Sequence, residues 1–181
     1  MTRASSLVTA MAVAMALAAA SPARAQAPVD VARAADPSRS ADAAFLAKAR
    51  ESAAADAELA TLAAVRATKP ATKAFAKVVL DANRGLVREL EAMAGTRQIA
   101  NVPRSEAPSK VAGTLRSQPP ATFDAAFVTA MIAGRSAAVA LFEAESRDGR
   151  DDEVKEWAAR QLPALRDHLA AARALRPRPS S

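Results

Sequence analysis

The chain has a single imidazole, His168, in the stretch Leu162-Pro163-Ala164-Leu165-Arg166-Asp167-His168-Leu169. An imidazole can ligate a metal or carry a proton, and either role needs companions. Cysteine is absent, which excludes disulfides, thiolate zinc sites and cysteine nucleophiles. The residue three before His168 is Leu165, so the Glu-x-x-His pair of di-metal bundles is missing. Asp167 is adjacent in sequence, but on a helix it points away from its neighbour, so no nucleophile, base and acid converge. Glycine-rich phosphate loops are absent as well.

Advancing each apolar stretch by 100° per residue places one polar side chain on or beside each of four stripes. These are Asp56, Asn83, Arg135 and His168. As metal ligands the set supplies only Asp56 and His168, next to a permanently charged guanidinium, which makes a poor cation site. Two readings of Arg135 stand side by side. It either snorkels from the stripe's edge to water, or pairs with Asp56 in place of a cation and keeps that acid charged. The expectation for His168 is a partly buried ring bonded to Asn83, Asp56 or a backbone carbonyl.

The elements that must position these residues are helices. Alanine dominates the apolar half of the composition, which favours close helix packing over a Val/Ile-rich sheet. Ser40 or Asp42 can cap a first helix to about Thr68, with Phe45, Ala49, Ala53, Asp56, Leu59, Ala60 and Ala63 recurring at three- and four-residue spacing. Pro70 opens a second helix carrying Phe75, Val79, Ala82, Asn83, Leu86, Leu90 and Met93, with Gly95 as its stop. A third runs from about Ala121 to Arg147 with Phe123, Phe127, Met131, Gly134, Ala138, Leu141 and Phe142 on one side, ended by Gly149. The fourth begins after Asp151, Asp152 and Glu153, which suit a helix N-terminus, and continues through Pro163 to about Leu175.

Between the second and third of these helices, Pro103, Pro108, Pro119 and Pro120 break the pattern. Only Ser109 to Arg116 reads as helical there, so this is a long crossover and not a fifth core helix. Two antiparallel hairpins joined by one crossover containing a short helix predict an all-α, ferritin-like four-helix bundle. Counting outward from Lys69 sets residue 56 level with residue 82. The same count from Gly149 sets His168 opposite residue 130, about 7.5 Å along the axis from Arg135. Gly134 reads as a close-approach point between helices. Glu145 falls on an inner stripe but at the loop end, roughly 20 Å from His168 along the axis. With Glu143, Asp148, Asp151, Asp152 and Glu153 it reads as solvated charge, since the spacing fits no calcium loop.

Residues 1–25 read as a signal peptide: Arg3 makes the positive start, Leu7 to Ala20 the apolar run, and Ala23-Arg24-Ala25 the cleavage site. The run is too short to span a bilayer. Residues 26–39, with Pro28 and Pro37, read as a disordered leader, 40–175 as the bundle and 176–181 as a disordered basic tail. The expected location is the periplasm. Losing Arg3 and Arg24 lowers the formal charge from +6 to +4, with acids and bases interleaved. Five Phe, one Trp and no Tyr give little for stacking bases, so no nucleic-acid partner is expected. The cluster Arg173, Arg176 and Arg178 allows at most weak peripheral membrane contact.

The segments Lys73-Ala74-Phe75-Ala76-Lys77-Val78-Val79-Leu80-Asp81, Phe123-Asp124-Ala125-Ala126-Phe127, Ala138-Val139-Ala140-Leu141-Phe142-Glu143 and Leu162 to Leu169 resemble a family of exported bacterial ferritin-like bundles catalogued as domain of unknown function 4142. The resemblance covers about Asp42 to Leu175. It implies an Asp-His pair in the second helix and another in the third. Here those positions read Ala82-Asn83 and Gly134-Arg135, while His168 and Asp56 match. The resulting expectation is a non-catalytic exported bundle without a cofactor, binding an unknown protein partner or the envelope. The alternative is a metal-binding or redox protein using Asp56 and His168.

Overall fold

The computed structural model describes residues 37–97, 99 and 109–176. The signal peptide, residues 26–36 of the leader, Pro103, Pro108 and the tail beyond Arg176 lie outside the described residues. Five helices follow in order: α1 (Pro37–Arg66), α2 (Pro70–Thr96), α3 (Lys110–Arg116), α4 (Pro120–Asp148) and α5 (Asp152–Ala174). No strand occurs among the described residues, so the fold is all-α.

α2 and α4 each begin on a proline, whose fixed φ suits a first helical position where its missing N–H costs nothing. The described part of α1 runs from Pro37, so Ser40 and Asp42, the caps expected from the sequence, lie inside the helix. Gly95 sits inside the last turn of α2 instead of beyond it. Gly149 stops α4 with φ −55°, outside the left-handed region. Space requires it instead, because a Cβ there would lie 2.6 Å from the Glu145 carbonyl oxygen. α5 starts on Asp151, whose carboxylate accepts the Val154 N–H at 3.1 Å, and runs unbroken through the exposed Pro163.

Three-residue joints, 67–69 and 149–151, fold α1 against α2 and α4 against α5. α1 also packs on α4, and α2 on α5. Asp124, near the start of α4, meets the end of α1, accepting the N–H of Thr68 at 2.9 Å and of Lys69 at 3.1 Å. Asp42, near the start of α1, meets the end of α4, accepting the N–H of Arg150 and of Asp151 at 3.1 Å each. α1 and α4 are thus antiparallel, and the crossover must return along the bundle. This connectivity is compatible with a ferritin-like bundle.

α3 is more than a bridge. Ser109 caps it by accepting the Ala112 N–H at 3.1 Å, and Ala112 and Leu115 are buried in the core. Its C-terminal carbonyls are held by Arg66, which donates to Leu115 O, Arg116 O and Gln118 O while lying over the Phe123 ring. The short helix, expected within the crossover and not as a fifth core helix, closes one end of the core.

The core is in two parts. One cluster gathers Leu59, Ala63, Phe75, Val79, Phe123, Phe127, Met131 and Leu169 toward the α1–α2 joint. The other gathers Phe45, Ala53, Leu86, Leu90, Phe142, Trp157 and Leu165 toward the α4–α5 joint, with the Phe45 and Phe142 rings edge to face at 5.1 Å. Ala82, assigned to the α2 stripe by its spacing, faces solvent.

Candidate functional site

On each long helix the two apolar clusters are interrupted once, and the interruption is a polar residue: Asp56 on α1, Asn83 on α2, Arg135 on α4 and His168 on α5. These residues form a polar layer across mid-bundle. Asp56, Asn83 and Arg135 are 4 %, 1 % and 1 % exposed, while His168 is half-buried.

Arg135 joins the layer. Its Nη2 donates to Asn83 Oδ1 at 2.8 Å, and its Nε lies 3.5 Å from Asp56 Oδ2. The side chain turns wholly inward, so the reading in which it snorkels to water is wrong for this chain. The reason lies beside it. At Gly134 an added Cβ would come within 2.7 Å of Asp56 Oδ1, so the bare backbone there makes room for the carboxylate. The expected close approach of helices is, in detail, a seat for Asp56.

Burial dominates the electrostatics of the layer. It pushes the Asp56 carboxyl above its ordinary 3.8, and the Arg135 charge offsets only part of that rise. The guanidinium favours the charged carboxylate, against the push of burial toward the neutral acid. Arg135 is shifted down by burial and partly restored by Asp56. Burial first, then the nearby guanidinium, holds His168 below its ordinary 6.5.

Within the layer four buried polar atoms, one per long helix, have no hydrogen-bond partner among the described residues: Asp56 Oδ2, Asn83 Nδ2, Arg135 Nε and His168 Nδ1. The bonds expected from the His168 ring to Asn83, Asp56 or a backbone carbonyl do not occur among the described residues, where Nδ1 is buried. The Arg135–Asp56 contact is a charge pair without hydrogen-bond alignment.

The donor set does not fit a metal centre. Asp56 and His168 are the only anionic or imidazole ligands in the layer, and a cation between them would share the space with a guanidinium. Among the described residues no group of three or more His, Asp or Glu side chains is placed to hold a metal ion. The layer can supply charge neutralisation within the core and a fixed alignment of four helices.

Outside the layer, sequence reasoning missed the residues that hold the hairpin turns. Asp124 also accepts the Thr68 hydroxyl at 2.8 Å. Burial alone would raise its carboxyl, but the Thr68 and Lys69 bonds outweigh burial and hold it at about 2. Glu145, expected to be solvated, is 9 % exposed. Burial, followed by the Asp42 and Asp151 carboxyls, raises it from 4.5 to about 7. Asp151 is likewise committed, bound by Arg97 at 2.8 and 2.9 Å.

A family model described as a domain of unknown function (DUF4142) matches residues 26–175. A search of curated proteins finds no match. Among solved structures, a DUF305 fragment from Deinococcus radiodurans superposes with a TM-score of 0.63 at 20 % identity, covering 74 % of this chain and 93 % of that one. That likeness speaks to the helical fold.

Proposed function

Because the chain belongs to the DUF4142 family, we propose that it is a non-catalytic, exported, ferritin-like bundle in which an internal ion pair replaces a metal, and that it acts by binding a partner protein or the envelope surface. The observation that carries the reading is the Arg135 guanidinium, 1 % exposed and 3.5 Å from Asp56, at the level where the four helices converge. A buried ion pair such as Arg135–Asp56 is no better for stability than apolar side chains of similar volume, because both charges are taken out of water. The layer's use is specification: only one axial register brings Asp56, Asn83, Arg135 and His168 together.

Support for export comes from Arg3, the run Leu7 to Ala20 and the site Ala23-Arg24-Ala25. Support for a binding role comes from α4, whose outward residues Ala125, Thr129, Ala133, Ala137 and Ala140 make an exposed face without charge. Cell fractionation with intact-mass measurement tests export. The expected species is periplasmic with Gln26 at its N-terminus, and a cytoplasmic chain retaining residues 1–25 would contradict it. Calorimetric titration of the purified chain with Mn(II), Fe(II) and Zn(II) tests the replaced site. No stoichiometric binding is expected, and a one-to-one isotherm abolished by Asp56→Ala would contradict the ion-pair reading.

A further inference from the structure

The two hairpins are closed by the same device used twice. Lys69 and Asp151 are the N-cap residues of α2 and α5. In each turn the N-cap N–H and the N–H before it are accepted by one aspartate from the other hairpin: Asp124 for Thr68 and Lys69, Asp42 for Arg150 and Asp151. Six residues before the N-cap the turns differ. The first has Ala63 and the second Glu145, both buried.

Glu145 and Asp42 are both buried at this turn, the Asp42 carboxyl close enough to raise that of Glu145, and Glu145 Oε1 makes no hydrogen bond to the described residues. Gly149 leaves it room, since a Cβ there would sit 2.8 Å from Oε1. A carboxyl buried beside a second one is disfavoured in its charged form, so Glu145 holds its proton more tightly than in water. The surrounding charges do not relieve it. Asp151 faces Glu145 from the turn with a negative charge. Arg97, from the end of α2, is engaged by Asp151 and, at 2.8 Å, by Glu153. Arg150 is exposed, as are Arg147 and Asp148, which pair with each other.

We propose that Asp42 and Glu145 form a proton-dependent latch between the start of α1 and the α4–α5 turn, closed while Glu145 carries a proton and loosened once it leaves. When Glu145 gives its proton to solvent, two adjacent negative charges remain. Asp42 then relaxes away, releasing the Arg150 and Asp151 N–H groups. Glu145 loses its proton at about pH 7. The Asp124 clasp, whose carboxyl sits at about 2, stays shut over the same range and serves as a control within the same molecule.

Global unfolding is a poor probe. Between pH 4.5 and about 7, Glu145 makes stability fall as pH rises, whereas His168, held below 6.5, makes it rise toward that value. Amide hydrogen exchange, corrected for the intrinsic rate, reads the turns separately. From pH 6 to 8 the opening of Arg150 and Asp151 should increase at least about tenfold while Thr68 and Lys69 stay level. In Glu145→Gln, whose amide donates to Asp42 at any pH, the step should vanish. Parallel behaviour of the two turns, or an undiminished step in Glu145→Gln, overturns the latch. A carbon-13 titration of the Glu145 carboxyl needs no variant. A midpoint near 7 supports the latch, and one below about 5 overturns it.

Discussion

Separating Asp56 from Arg135 should produce a strongly non-additive loss of stability. The charges are 3.5 Å apart, which at an effective dielectric of about 20 corresponds to roughly 5 kcal/mol of attraction. Asp56→Asn keeps the shape, removes the negative charge and leaves a guanidinium 1 % exposed with no counter-charge. The expected cost is about 3–5 kcal/mol. Arg135→Met should cost less, about 1–3 kcal/mol, because burial has already raised the Asp56 carboxyl and it can take a proton. With both changes no buried charge remains, so the double variant should lose at least about 2 kcal/mol less than the sum of the singles. Urea unfolding reads this as midpoint shifts at constant m, with 3 kcal/mol moving the midpoint by about 1–3 M. Added salt should leave the coupling unchanged, since the pair is shielded from solvent. Single costs that add to the double within about 0.5 kcal/mol would refute the ion pair as a unit.

Gly134→Ala gains helix propensity, yet its Cβ would come within 2.7 Å of Asp56 Oδ1. A net loss of about 1–3 kcal/mol is expected, turning to a gain in an Asp56→Ala background, as measured by thermal or urea unfolding. Asp124→Asn should flatten the acid limb of the stability curve. The carboxyl is at about 2 in the fold against an ordinary 3.8, so its contribution is complete above about pH 4 and lost as pH falls toward 2, which acid-denaturation curves will show. Removing Arg173 to Ser181 should weaken sedimentation with anionic vesicles at low salt. An unchanged bound fraction would rule out the tail as a membrane contact.

The polar layer was legible in sequence because each member breaks an apolar stripe, and a rotation of 100° per residue suffices to find it. Hairpin counting also gave approximate levels. The direction of Arg135 was not legible, since it depends on an acceptor on α2 and on a space at Gly134 that only packing reveals. Asp42 was misread for a similar reason. An aspartate near a helix start usually caps that helix, but Asp42 lies inside α1 and serves a turn 108 and 109 residues away. Asp124 acts across 55 and 56 residues, and contacts at such separations leave no local pattern. Glu145 did leave one. It continues the spacing of Ala138 and Phe142, yet the surrounding acids favoured a solvated reading over the buried position the structure shows.

The central claim is that Arg135 occupies the place of a metal. Elemental analysis of the protein purified from its native compartment tests it most directly. The account predicts transition metal below about one-tenth of an equivalent per chain, because Asp56 and His168 alone do not complete a coordination shell. One equivalent of metal, retained through dialysis and lost in His168→Ala, would contradict it.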